Sequence, residues 1–313
     1  MDSSIFNKFK FKLHSDAITC ICVTSFNLPI FATGSRDCTI LIWKIVREDE
    51  IKFIPKKRLR GHSHFISNLD FSMDGRFCLS SSWDKTINLW DIENTKIVKK
   101  FIGHQHDVLW AEFSKNNKKI ISSSRDNTIK IWNTIGQCKS TLIDKISTSW
   151  ISCVKFISNK NIGIMSCSWD GMIKIWNMSK KKVHTRFVGH KGYLCSLSIS
   201  PDSSLCASGG KDGIVMLWDL QEAKHLYSLD INESINCLCF CPTRYWLCAG
   251  TSKGVKIWDL ESKVMIEKVK ADLPGYDMFK NKPMSMSINW TADGNFFFSG
   301  FIDGELKICY IRT

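Results

Sequence analysis

The chain has 313 residues, is 44% hydrophobic and carries a net charge of +13 with a pI near 9.1. No apolar run approaches the eighteen or so residues that span a bilayer, and MDSSIFNKFKFKLHSD lacks the apolar core and cleavage site of a secretory signal. The basic excess favours acidic partners, above all nucleic acid, and the 14 scattered cysteines read as reduced core thiols of a cytoplasmic chain.

Tryptophan sets an internal period. Trp43, Trp90, Trp132, Trp176, Trp218 and Trp258 lie 47, 42, 44, 42 and 40 residues apart, each closing an apolar run such as TILIW, TINLW or TIKIW. An aspartate stands six residues before five of them: Asp37, Asp84, Asp126, Asp170 and Asp212. His62, His104 and His190 precede their tryptophans by 28 residues, and His14 precedes Trp43 by 29. Between these marks the text alternates apolar and polar, pauses at Gly, Asp, Asn or Ser, and alternates again, with helical periodicity nowhere sustained. Each unit therefore predicts four short strands of an all-β protein. Units of 40 to 45 residues with Gly-His and Trp-Asp marks are the WD-repeat signature, one propeller blade per unit.

Taken in chain order, IFNKFKFKL precedes the first histidine and is predicted to be a strand. Unit one follows with His14, Thr33, Asp37 and Trp43; unit two has His62, Ser80, Asp84 and Trp90; unit three has His104, Ser122, Asp126 and Trp132. Unit four keeps Asp170 and Trp176 but has Ser147 where histidine is expected. Unit five restores the set as His190, Ser208, Asp212 and Trp218. Unit six has Ser252 six residues and Cys248 ten residues before Trp258, in place of the aspartate and the hydroxyl. These two irregular units are expected to be held less firmly. The stretch 268–282, KVKADLPGYDMFKNK, is expected to form a protruding loop. The last unit, MSMSINWTADGNFFFSGFIDGELKICYI, has Asp303 but Cys309 where tryptophan is expected, and it lacks an outer strand. The N-terminal strand is predicted to supply it and close a ring of seven blades, giving one domain over 1–313 without open sheet edges.

The His–Ser–Asp sets superficially suggest hydrolysis, but a catalytic constellation occurs once and this one recurs in every regular unit. A buried chain from carboxylate to imidazole to hydroxyl to indole would instead lock the strands, each unsatisfied link costing roughly 1–3 kcal/mol. GGKDG at 209–213 is not a phosphate loop, and Cys237, Cys239 and Cys241 lack the second pair that a metal site requires. No catalytic site, cofactor or metal is expected.

RGHSHFIS, SSWDKTINLWD, SSSRDNTIKIWNTIGQCK, SLCASGGKDGIVMLWDLQEAKHLYSLD and TRYWLCAGTSKGVKIWDLE closely resemble the receptor for activated C kinase, a seven-bladed scaffold also described as G-protein β-subunit-like. The resemblance covers essentially the whole chain. It implies a non-catalytic protein of the small ribosomal subunit head, contacting ribosomal RNA and neighbouring ribosomal proteins and recruiting kinases and translation regulators. The RNA-facing positions carried over are Arg36, Lys57, Arg60, Lys100 and Arg125; the family's lysine after SRD is replaced by Cys38. The alternatives are a free cytosolic signalling scaffold or a G-protein β-like subunit. The second is disfavoured because about a dozen residues before His14 are too few for a coiled coil.

Overall fold

Alternating runs of four to ten residues cannot bury their apolar face alone, so they pair into sheets and stack. The computed structural model describes residues 6–24, 30–47, 50–157, 163–269 and 284–311, and shows seven four-stranded antiparallel sheets with no helix among the described residues. Blade one comprises Ile18–Val23, Ile30–Ser35, Thr39–Arg47 and Ile51–Arg60, in that order from inside to outside. Blades two to six repeat the pattern over 66–102, 108–143, 151–187, 194–230 and 235–269.

Blade seven is the predicted exception. Ser285–Trp290, Phe296–Phe301 and Glu305–Ile311 supply three strands. Phe6–Lys12 supplies the fourth, running antiparallel from Phe6↔Ile311 to Lys12↔Glu305. Phe9 and Phe11 of this strand meet Phe53 and Trp43 of blade one edge-on, at 5.1 and 5.4 Å. The inner strands neighbour one another all the way round, and the blade-seven inner strand abuts that of blade one.

The core is divided into seven apolar clusters, each shared by two adjacent blades. Leu79, Phe101, Val108 and Trp132, for example, join blades two and three and are each at most 1% exposed. Burying one such side chain contributes about 1.5–3 kcal/mol, so no blade is stabilised without its neighbours.

The turn between the second and third strands holds one residue in the left-handed region in most blades: Cys38, Lys85, Asn127, Gly171, Gly213 and Gly304, at φ from 63° to 79°. Blade six differs. Its turn is one residue shorter: Gly250 pairs with Val255, where Gly209 pairs with Val215 in blade five. Counting ten back from Trp258 therefore picks the wrong residue: Ala249, opposite Lys256, occupies the hydroxyl position, and Cys248 lies one place away, facing the neighbouring cluster. The expected loop at 268–282 lies outside the described residues except for its first two, which end the outer strand of blade six.

Candidate functional site

The four regular sets come together as side-chain chains. His62 Nδ1 lies 2.7 Å from Asp84 Oδ2, its Nε2 lies 2.7 Å from Ser80 Oγ, and Trp90 Nε1 donates to the same hydroxyl at 2.7 Å. Blades three and five repeat this at 2.7, 2.7 and 2.8 Å. In blade one His14, Asp37, Thr33 and Trp43 do so at 2.8, 2.9 and 3.1 Å. Each aspartate also closes its own turn; Asp84 Oδ1 accepts from the Thr86 amide and hydroxyl. Burial acts to raise the carboxyl pKa of Asp37, Asp84 and Asp126, but hydrogen bonds from the imidazoles and threonines outweigh it and hold all three well below the usual range. The serine or threonine is buried in every set and the imidazole side chains are at most 1% exposed, so no hydroxyl is presented to a substrate.

Where histidine is missing, a lysine two residues before the tryptophan position turns inward. Lys174 of blade four, with its side chain 5% exposed, lies 2.7 Å from Asp170 and 3.2 Å from Asp144. Arg186 bonds Asp144 at 3.0 Å, and the Ser147 hydroxyl donates to Asp170. Lys256 of blade six lies 3.0 Å from Glu233, which also accepts from Thr251 at 2.6 Å. In blade seven the equivalent Lys307 is 1% exposed and lies 5.2 Å from the Phe301 ring centroid. There the hydroxyl counterpart, Ser299, is opposite Lys307, and its Oγ is buried without a partner among the described residues. Sequence reading missed these lysines. Their signal was a lysine replacing Leu41, Asn88 or Met216 at one repeat position in the units that lack histidine.

A second repeated device faces the central channel. All seven inner strands carry a β-bulge near their start, and each bulged side chain points into the channel mouth. Thr19, Ser67, Ser152 and Asn236 use it to donate to a carbonyl at the start of the next blade's inner strand, those of Ile66, Val108, Leu194 and Ser285. The other three bulged residues, Leu109, Cys195 and Met286, leave the mouth apolar. Deeper in the channel, Asp70 and Glu112 accept from the amides of Phe113 and Phe156 in the following blades, and Lys155 lies 3.5 Å from Glu112. Burial, then the Glu112 charge, raises the Asp70 pKa.

The loops that carry the histidines and the Asp turns share one face of the ring, the upper face. Here the residue before each turn aspartate bonds by its amide to the carbonyl just ahead of the inner strand, as Arg36 to Ala17, Trp83 to Phe65 and Arg125 to Asp107. Arg36 is half-buried, 5.6 Å from the Phe65 ring centroid, and no described carboxylate lies within ion-pair distance. Arg125, its sequence twin, is sandwiched between Trp83 and Trp150 at 4.0 and 4.5 Å and bonded to Asp107 at 2.7 Å. Arg60 and Lys100 are exposed on the outer strands of blades one and two. Lys57 is turned to the opposite face, where its ammonium donates to the carbonyls of Ile92 and Glu93 at 3.0 and 2.6 Å. The structure thus places Arg36, Arg60, Lys100 and Arg125 on blades one to three near the upper face and separates Lys57 from them. Cys38 is half-buried, and its thiol bonds the Arg36 carbonyl at 3.6 Å.

The 14 cysteines are free; burial pushes Cys20 and Cys239 up to about 12, and no group of side chains suited to a metal occurs among the described residues. No described helix is long and apolar enough to cross a membrane. The WD domain, G-beta repeat model matches residues 7–44, 53–91, 95–133, 136–177, 180–219 and 223–259.

The chain belongs to the WD-repeat family.

It is 48% identical, over 96% of its length and 96% of the relative's, to the cross-pathway control WD-repeat protein 2 of Flammulina velutipes. This similarity agrees with the resemblance of the sequence to the receptor for activated C kinase. Each matched repeat joins the outer strand of one blade, or for the first repeat the closing strand, to the three inner strands of the next, and the outer strand of blade six, Val264–Val269, lies beyond the last of them. The other three strands of blade seven, which have cysteine for tryptophan, fall outside them.

Proposed function

We infer that this WD-repeat protein is a non-catalytic, cytoplasmic scaffold seated on the small ribosomal subunit head. In this reading the upper face of blades one and two lies on ribosomal RNA and neighbouring ribosomal proteins, and the remaining surface recruits protein kinases and translation regulators. The observation that carries it is Arg36: a guanidinium at the rim with no compensating carboxylate among the described residues, on the same blade as the exposed Arg60 and the one next to that of Lys100. Its planar fork can bond two phosphate oxygens, and the net charge of +13 favours such a surface. Arg125 is the weaker contact, because Asp107 already balances its charge and two indoles cover it. A regulatory scaffold also accords with the name of the Flammulina velutipes relative, which speaks of cross-pathway control.

The test is sedimentation of cell extract through a salt series, comparing wild type with Arg36→Asp and Arg125→Gln. Phosphate contacts release counterions, so wild-type association should fall as salt rises. Loss of one charge-assisted bond of about 1.5–3 kcal/mol lowers affinity about tenfold or more, so Arg36→Asp should leave the small-subunit fraction while Arg125→Gln largely remains. A wild-type protein that never travels with small subunits, even at low salt, would make this a free signalling scaffold instead.

A further inference from the structure

On the lower face, the gap between blades one and two is open. The third and outer strands of blade one, Thr39–Arg47 and Ile51–Arg60, have nine and ten residues where those of blade two have six and seven. Their extra length leans on blade seven: Arg47 bonds Asp293 at 2.7 Å, and Phe53 meets Phe296 edge-on at 5.6 Å. Side chains alternate along a strand, so Ile42 and Lys44 turn the other way, toward blade two. There the apolar cluster shared by the two blades ends in a cavity of about 450 Å³, within the range of binding pockets. Ile30, Ile42 and Ile92 form its floor. The cations on its rim are Lys44, Lys56, Lys57 and Arg76, and the acids are Asp74, Asp91 and Glu93. Asp74 is closed into its own turn by the Ser72 hydroxyl and the Arg76 amide, and Asp91 by Asn94. No described carboxylate lies within ion-pair distance of any of the four cations.

We propose that this cleft binds a small amphipathic carboxylate, its hydrocarbon body lying on Ile30, Ile42 and Ile92 and its head group met by Lys57 and Lys56. Lys57, set apart from the other cations read as RNA-facing, is already held for that role. Two of its three ammonium hydrogens go to the carbonyls of Ile92 and Glu93, at 3.0 and 2.6 Å, so the charge is fixed at the rim and one donor remains. Neutral carbonyls do not cancel that charge. Lys56 is the bulged residue of the outer strand, left out of the register between Ile42↔Lys57 and Trp43↔Pro55, and is exposed beside it. With two of the acids closed into their turns, Glu93 is set against four cations, and the excess favours an anion. An isoleucine floor suits a hydrocarbon chain, and a rim that includes Glu93 suits a singly charged head.

The test is isothermal titration calorimetry of the isolated protein with hexanoate, octanoate and decanoate. Affinity should rise about fourfold per added methylene, while decanol and decylamine should bind about tenfold or more weakly than decanoate. Ile30→Trp, which fills the floor from a half-buried position, should abolish binding of the whole series. Lys57→Met keeps the stem and removes the charge. It should weaken decanoate about tenfold or more and leave the weaker binding of decanol unchanged, a split that a merely structural role would not produce. Lys56→Glu, at an exposed position, gives the same reading should Lys57→Met lower the unfolding midpoint. No binding of decanoate, affinity independent of chain length, decanol or decylamine binding as well as decanoate, or decanoate binding that survives both Ile30→Trp and Lys56→Glu would each overturn the proposal. The cleft lies on the face away from the RNA contact proposed above, so none of these outcomes depends on whether the protein travels with ribosomes.

Discussion

Blades one, two, three and five are tied by a histidine, whereas blades four, six and seven bury a lysine at the corresponding depth. The first group forms a chain of hydrogen bonds from turn to third strand, ending on an indole. The second uses a charged side chain reaching up from the third strand, paired with carboxylates in blades four and six. What the repeat conserves is therefore a buried polar tie, and two chemistries can supply it. They respond differently to damage. A hydrogen-bonded chain contributes about 0.5–1.5 kcal/mol per bond; a buried ion pair roughly breaks even against its desolvation, yet is costly to break on one side only.

The largest expected effect follows from that asymmetry. Lys174→Met leaves Asp170 and Asp144 partly unmatched in a site where the lysine side chain is 5% exposed, and should cost about 3–5 kcal/mol by urea unfolding. Adding Asp170→Asn should recover part of the loss; a double variant as unstable as the single one would show that the lysine stem, not its charge, matters. Next, Asp84→Ala leaves His62 Nδ1 without its carboxylate and should cost about 1–3 kcal/mol, with no accompanying catalytic defect.

The pH response has a definite sign. Asp37, Asp84 and Asp126 have folded pKa values below their unfolded value of about 3.9. Their contribution is present above that value and is lost as pH falls below it toward the folded values. His190 behaves differently: burial, partly offset by Asp212, lowers its pKa. Protonation of the unfolded chain should thus begin to weigh against folding below about pH 6.5. Unfolding free energy measured from pH 7 to 3 should show an early shallow loss that His190→Gln removes and a later steep loss that it does not. The smallest effect is expected at Ser299, whose hydroxyl has no partner among the described residues. Ser299→Ala should lie within about 0.5 kcal/mol of wild type, while Ser122→Ala, which strands both His104 and Trp132, should cost about 1–3 kcal/mol. Equal losses at the two serines would erase the distinction between the blade types.

The fold could be read because its determinants are local and repeated: alternation, turn residues and the spacing from histidine to tryptophan recur within each 40-residue unit. The closing strand was legible for the same reason, since IFNKFKFKL alternates and the last unit lacked a partner. What stayed hidden depended on neighbours remote in sequence. Arg36 and Arg125 stand in the same SRD text, yet one lies over Phe65 with no described carboxylate in reach while the other meets Trp83, Trp150 and Asp107. Lys130 shares the repeat position of Lys174 but turns outward to Thr141 at 3.0 Å, because His104 and Ser122 already form the tie in its blade. In blade six a single missing turn residue moved the counting frame, putting Ala249 where Cys248 was expected.

Pairing Phe6–Lys12 with Glu305–Ile311 also has a consequence in time. Some 290 residues separate the two partners, and at about 5–20 residues per second the interval between their syntheses is roughly 15–60 s. For that period the earliest strand to be made waits as an unpaired edge, open to other chains. Blades one to six can stack as they emerge, but the ring is complete only when the last strand returns to the first.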